Sequence, residues 1–353
     1  MKSIIKKLSV LSFTIGLAAG SLVAQTESPA EKPATTEAQI DVTRRPEPLA
    51  RREFAFPAYT TNSLPNGLKL FFIPDKEQPT ATMRLLIKGG SSQDGAKAGI
   101  AEITADMILK GTKTRSADSI ARLIDGHGIS ISTSVTPDYT IISVSGLKKH
   151  QKLMFSVLLD VLTAPTFPED ELDKMKQLYI SSVQASMARG SWLAQMLAAK
   201  AAYGESHPYA QSKTIDGITG ITKEDIVNYY KKFYLPNNST MTIVGDFDND
   251  MTTVGLRSSW AAWERGIAPT INLPKSEPMP YGVYFIPRKS SVQSSIAVCT
   301  RTVPYGATNY NELTLGANVI GGGFSGRLFR TLREQYSYTY SPFGSHSQNK
   351  FAN

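Results

Sequence analysis

Glu102 and Asp106 stand one helical turn apart in Gly99-Ile-Ala-Glu102-Ile-Thr-Ala105-Asp106-Met-Ile-Leu-Lys110-Gly111, within a stretch of helical apolar periodicity from Ala98 to Lys110. Carboxylates at i and i+4 share a helix face, and oxygen ligands suit Ca²⁺ or Mg²⁺. Two carboxylates alone make a poor cage, so a solvated or lysine-paired acidic face is the competing reading. The four histidines, His127, His150, His207 and His346, are far apart with no ligand spacing. Cys299, the single cysteine, lies in an apolar strand pattern and has no disulfide partner in the chain; a buried structural thiol is expected. The glycine string Gly321-Gly-Gly-Phe-Ser-Gly326 is not a phosphate loop, because no Lys-Ser/Thr follows it. Arg333 and Tyr340 offer a cation and a phenol seven residues apart.

The elements that must position these residues are legible in outline. Leu68–Ile73 and Thr82–Lys88 read as two strands around a Pro-Asp-Lys turn. Helical periodicity takes over at Ala98–Lys110, with Gly111 as a stop, and returns at 116–125, 151–163 and 169–188. Pro168 opens the last of these, whose apolar side carries Leu172, Met175, Tyr179, Val183 and Met187. Strands are expected at 129–135, 140–144 and 239–244, and a helix at 223–233 introduced by Thr222.

Prolines at 269, 274, 278 and 280 mark a boundary at 267–280. Beyond it, Gly282-Val-Tyr-Phe-Ile286-Pro287-Arg-Lys289 repeats Gly67-Leu-Lys-Leu-Phe-Phe-Ile73-Pro74-Asp-Lys76, and Phe329 and Leu332 line up with Ile120 and Leu123 at one constant offset. The chain reads as two copies of one α+β unit. The second copy stops at the counterpart of about residue 144, so an incomplete second half is expected, from a short gene product or a fragment.

With 353 residues and 41% hydrophobic content, the chain has material for two packed cores, which excludes overall disorder, collagen, coiled coil and a polytopic membrane protein. The net charge of +8 includes Lys2, Lys6 and Lys7; the remaining basic residues are scattered among acids, so no nucleic acid partner is expected. Behind those lysines, Leu8–Ala24 is uncharged and apolar and holds small residues at Ala18, Gly20 and Ala24. This is a signal-peptide pattern for 1–24, with a retained anchor as the alternative. Export to a bacterial periplasm or the exterior follows, without stable membrane insertion after cleavage. Residues 25–52 read as a disordered linker, 53–266 as the first α+β domain, 267–280 as an inter-domain linker and 281–353 as a partial second domain.

The helix around Glu102, ending Met107-Ile-Leu-Lys110-Gly111-Thr112, resembles the active-site helix of the pitrilysin-like M16 metallopeptidases (insulinase and mitochondrial processing peptidase type). The resemblance includes His207-Pro208-Tyr209, Thr222 through Asn238, Ile243-Val-Gly245-Asp246 and Gly322-Gly323-Phe-Ser-Gly-Arg327-Leu-Phe. It implies a fold of two homologous α+β halves with antiparallel sheets. In that family a His-x-x-Glu-His motif and a distant Glu hold zinc and activate water. Here Glu102 and Asp106 take the two histidine positions, Ala105 the general-base position and Ser182, 76 residues past Asp106, the third-ligand position. With neither imidazole nor the distant Glu supplied, no metal and no cofactor are expected in this chain, and zinc only in a catalytic partner; the methyl group at the base position accepts no proton.

The resemblance assigns Arg333 and Tyr340 to substrate or oxyanion contact in a partner's active site, with Tyr336 and Tyr338 as competitors for the tyrosine role. Gly322, Gly323 and Phe324 fall where the family's glycine loop bears on substrate. It implies a noncatalytic subunit of a heterodimeric peptidase, paired with a subunit bearing His-x-x-Glu-His and acting on peptides. The alternative is a pseudopeptidase that binds peptides or serves as an envelope scaffold.

Overall fold

In β3 (Thr80–Lys88) side chains alternate strictly, with Ala81, Met83, Leu85 and Ile87 buried, the period-two pattern of a strand covered on one face. This strand sits near the centre of a six-stranded sheet in the computed structural model, which describes residues 50, 53, 55–247, 249–289 and 291–352. The expected signal peptide and all of the expected linker except Ala50 lie outside the described residues. From Phe56 onward the chain forms one unit.

The other strands are β1 (Thr60–Ser63), β2 (Lys69–Pro74), β4 (Ser130–Val135), β5 (Tyr139–Leu147) and β6 (Ser239–Gly245), in the order β1-β2-β6-β3-β5-β4. The pairings are antiparallel except β2 with β6, which is parallel. The cause is geometric. A short link reverses the chain between β2 and β3, and β6 inserts between them; running against β3, it must run with β2. Gly245 ends β6 at φ +126°, and a Cβ there would sit 2.2 Å from the Thr80 carbonyl oxygen.

The helices are α1 (Ile100–Met107), α2 (Ala117–Gly126), α3 (Gln151–Thr163), α4 (Glu169–Met187), α5 (Gly190–Tyr203), α6 (Ile215–Thr219), α7 (Lys223–Phe233), α8 (Asn249–Ser259) and α9 (Tyr310–Gly321). α1 and α3 pack on the sheet at β4 and β5, and α1 also touches α4 and α7. Leu70, Phe72, Met83, Leu85, Ile142, Met241 and Ile243 meet Ile103, Met107, Leu158 and Ile226 in one continuous core. Burial of each such side chain contributes about 1.5–3 kcal/mol.

Local signals place several boundaries. Ser116 accepts from the Ser119 amide to cap α2, and Thr222 with Asp225 forms a reciprocal capping box on α7. Thr222→Ala removes one of those bonds and should lower unfolding free energy by about 1 kcal/mol in urea titration. A change below a few tenths would mean that tertiary packing alone sets the start of α7.

The expected strands beyond the proline boundary do not form. Residues 264–309 contain no helix or strand among those described, and Tyr281, Val283, Phe285, Val292, Ile296 and Val298 are exposed. The first copy of this motif becomes β2 because β1 and β6 bond it on both sides; residues 282–287 have no such neighbours, and apolar alternation without a ladder leaves the backbone groups unpaired. The expectation for Cys299 is corrected for the same reason: it is exposed, with its Sγ 3.3 Å from the Ala198 carbonyl oxygen. No helix among the described residues is long and apolar enough to cross a membrane.

Candidate functional site

Helix α1 is started by a side chain outside it. Asp94 accepts from the Gly99 amide at 2.6 Å and the Ala101 amide at 3.1 Å, which binds otherwise unpaired donors of the first turn. Burial pushes this carboxyl up to about 7, and nearby Glu102 adds to the shift, against the pull of the two amides and Lys213.

One turn on, Glu102 forms an ion pair with Lys213, whose ammonium lies 5.4 Å from the centre of the Tyr179 ring. Asp106 accepts from Tyr179 Oη at 2.8 Å and from Thr133 Oγ1 at 2.5 Å. Burial, followed by the Asp106 charge and the hydrogen bond to it, pushes the Tyr179 phenol well up, so it remains a donor. Thus α1, α4, β4 and the loop before α6 close a polar cluster in which each carboxylate has its own donors.

Ala105, between the carboxylates, is 1% exposed, and Ser182 is exposed on α4. These residues do not fit zinc: they include no imidazole, both carboxylates are engaged, and an ammonium stands beside the acidic pair. Among the described residues no three His, Cys, Asp or Glu side chains group as metal ligands. Lys213→Met leaves Glu102 without its counter-charge; because both groups are partly solvated, a loss of about 1 kcal/mol is expected in urea titration. An unchanged midpoint would mean that the pair contributes nothing to the cluster.

The second constellation lies after α9. A π-helical turn, Phe329–Gln335, carries Arg333, whose guanidinium carbon is 4.7 Å from the Phe329 ring centre and 4.0 Å from that of Tyr340. The structure therefore brings Arg333 and Tyr340 together. Tyr336 and Tyr338 stack on each other at 5.3 Å instead. Among the described residues, no hydrogen bond or ion pair joins Arg333 or Tyr340 to Glu102, Ala105, Asp106 or Ser182.

Gly322 and Gly323 line an open groove of about 520 Å³ together with Asn318, Val319, Ser325 and Arg330. Phe324 is 76% exposed and meets Phe329 edge-on. A Cβ on Gly321 would lie 2.1 Å from the Gly344 amide nitrogen, so close backbone approach fixes one end of this loop.

The histidines are not all isolated in space. His127 and His150 meet edge-on at 4.9 Å, while His207 is buried against Tyr203 and bonds Pro274. Sequence reasoning missed Asp94, Thr133, Lys213 and the polar role of Tyr179. Tyr179 was visible only as an apolar position of α4; its hydroxyl, three residues before Ser182, does the bonding.

A six-stranded sheet with one parallel pair, covered by α1, α3, α4 and α7, defines an M16 peptidase-like α+β fold. The chain belongs to the M16 peptidase family: "Insulinase (Peptidase family M16)" matches residues 70–211 and "Peptidase M16 inactive domain" residues 220–352. It is 24% identical over 285 residues to the "Uncharacterized zinc protease YmxG" of Bacillus subtilis, covering 80% of this chain and 68% of that one. It is 23% identical over 278 residues to the "Non-peptidase homolog YmxG" of Helicobacter pylori, covering 75% and 62%. The crystal structure of a peptidase M16 inactive domain from Pseudomonas fluorescens superposes with a TM-score of 0.72 at 23% identity, over 83% of this chain and 71% of that one.

Proposed function

We propose that this chain is the noncatalytic subunit of an exported bacterial heterodimeric M16 peptidase. It supplies part of the wall of a peptide chamber, and it supplies Arg333 and Tyr340 to a partner that carries His-x-x-Glu-His and zinc. The observation that carries the reading is the contrast between the two constellations. On α1, Lys213, Tyr179 and Thr133 engage the carboxylates and Ala105 offers no base. After α9, Arg333 and Tyr340 remain in contact and partly accessible.

The partner would supply the zinc and glutamate that activate water, and this chain's part is electrostatic. A guanidinium held against aromatic rings keeps its planar fork of donors in place, and such donors lower the barrier when they face charge that develops in the transition state. Enclosure between two subunits orients the peptide even when one wall lacks metal. The basic and apolar start of the chain, Lys2 to Ala24, supports export.

Co-expression with a His-x-x-Glu-His subunit should give a stable pair that cleaves peptides in a chelator-sensitive way, with neither subunit active alone. Stoichiometric zinc and proteolysis in the isolated chain would overturn the reading. A stable but inactive pair would leave a scaffold or peptide-binding pseudopeptidase in its place.

A further inference from the structure

The π-helical turn and its approach carry more positive charge than the fold requires. Arg327, Arg330 and Arg333 follow at three-residue intervals, the first two exposed. Among the described residues, none of their side chains makes an ion pair or hydrogen bond, and the neighbouring acids Glu312 and Glu334 pair with none of them. In the repeat frame set by Ile120 with Phe329 and Leu123 with Leu332, the first half has Asp118, Ala121 and Ile124 at these three positions, and α2 forms without any arginine there.

Arg330 forms part of the wall of the 520 Å³ groove, beside the polar side chains of Asn318 and Ser325 and the open backbone at Gly323. Exposed Phe324 follows directly in the same loop. Arg333 rests against the rings of Phe329 and Tyr340, and its N–H donors make no hydrogen bond among the described residues. Unpaired guanidinium forks next to a groove wide enough for a side chain match a carboxylate in geometry and charge.

We infer that this groove selects acidic peptide segments, with a Glu or Asp side chain of the ligand seated against Arg330. The inference rests on the peptide-chamber reading and names its substrate class. A peptide is favoured over nucleic acid because the remaining basic residues of the chain are scattered among acids and add no wider positive surface to these three arginines.

Three fluorescein-labelled decapeptides, identical except for a central Glu-Glu, Gln-Gln or Lys-Lys, test it by anisotropy with the intact chain. At 50 mM salt the Glu-Glu peptide should bind about fivefold more tightly than the Gln-Gln peptide and more tightly still than Lys-Lys, and the gap should close at 500 mM. Arg330→Gln, at an exposed position, should shrink the gap at low salt. Equal binding of the three peptides, no binding of the acidic one, or a gap unmoved by Arg330→Gln overturns the inference. Its failure is distinct from failure of the subunit reading: a pair that cleaves all three peptides equally well keeps the noncatalytic subunit and removes the acidic preference.

Discussion

In the proposed pair, Arg333→Ala should lower kcat/KM for peptide cleavage by about 10²–10³-fold while the two subunits still co-purify. The magnitude is that of removing one preorganised donor from a developing oxyanion, roughly 2.7–4 kcal/mol of barrier. Assembly survives because Arg333 bonds no other side chain among the described residues; it is held by the rings of Phe329 and Tyr340. Arg333→Lys keeps the charge but loses the planar fork, so it should fall between wild type and Ala. Tyr340→Phe keeps the ring against Arg333 and deletes only the phenolic donor, and its loss should be smaller than that of Arg333→Ala. Steady-state kinetics on the purified pair decides the matter: wild-type turnover in Arg333→Ala would make the contact between Arg333 and Tyr340 structural only.

What the sequence shows and what it hides divide along the range of the interactions. Thr222 and Asp225 lie three residues apart, so the start of α7 was readable locally, as was Pro168 before α4. The strand alternation of 82–88 gives most of β3, because its face is set by its own side chains. Pairing β2 with β6 in parallel needs contact between residues about 170 positions apart, and no local pattern records it. The failure at 282–287 is the same fact seen from the other side: strand-like residues without a partner form no strand and stay largely exposed. α5 was missed because its apolar and alanine residues spread around the helix without a distinct face.

At the candidate site, the two halves of the chemistry differed in legibility for the same reason. That Glu102, Ala105 and Asp106 include no imidazole is a matter of residue type and could be read directly. Their partners could not. Lys213 lies 111 residues beyond Glu102, and Tyr179 reaches Asp106 from 73 residues away. Together they satisfy carboxylates that would otherwise face each other across one helical turn, a destabilising arrangement. The ammonium of Lys213, from the loop before α6, offsets that repulsion at Glu102.

Between pH 5 and pH 8, the chain loses stability through Asp94, and Asp94→Asn removes that loss. The carboxyl stands at about 7 in the folded protein against 3.8 for an ordinary aspartate, because burial penalises its charged form more than the Gly99 and Ala101 amides favour it. An acid raised on folding binds more protons in the folded state than in the unfolded state between those two values. Its contribution is therefore most favourable below about 3.8, declines as pH rises towards 7 and is constant above that. At 1.36 kcal/mol per unit the whole window amounts to roughly 4 kcal/mol, of which about 2–3 kcal/mol falls above pH 5. Burial lowers His207, and its contribution runs the opposite way, rising with pH through its own range. The difference between wild type and Asp94→Asn cancels that term and leaves Asp94 with its neighbours Glu102 and Lys213. Urea titrations at pH 5, 6, 7 and 8 should show the wild type declining relative to the variant. Parallel curves would mean that the amides of the first turn hold Asp94 ionised throughout, and that α1 begins on a fixed negative charge.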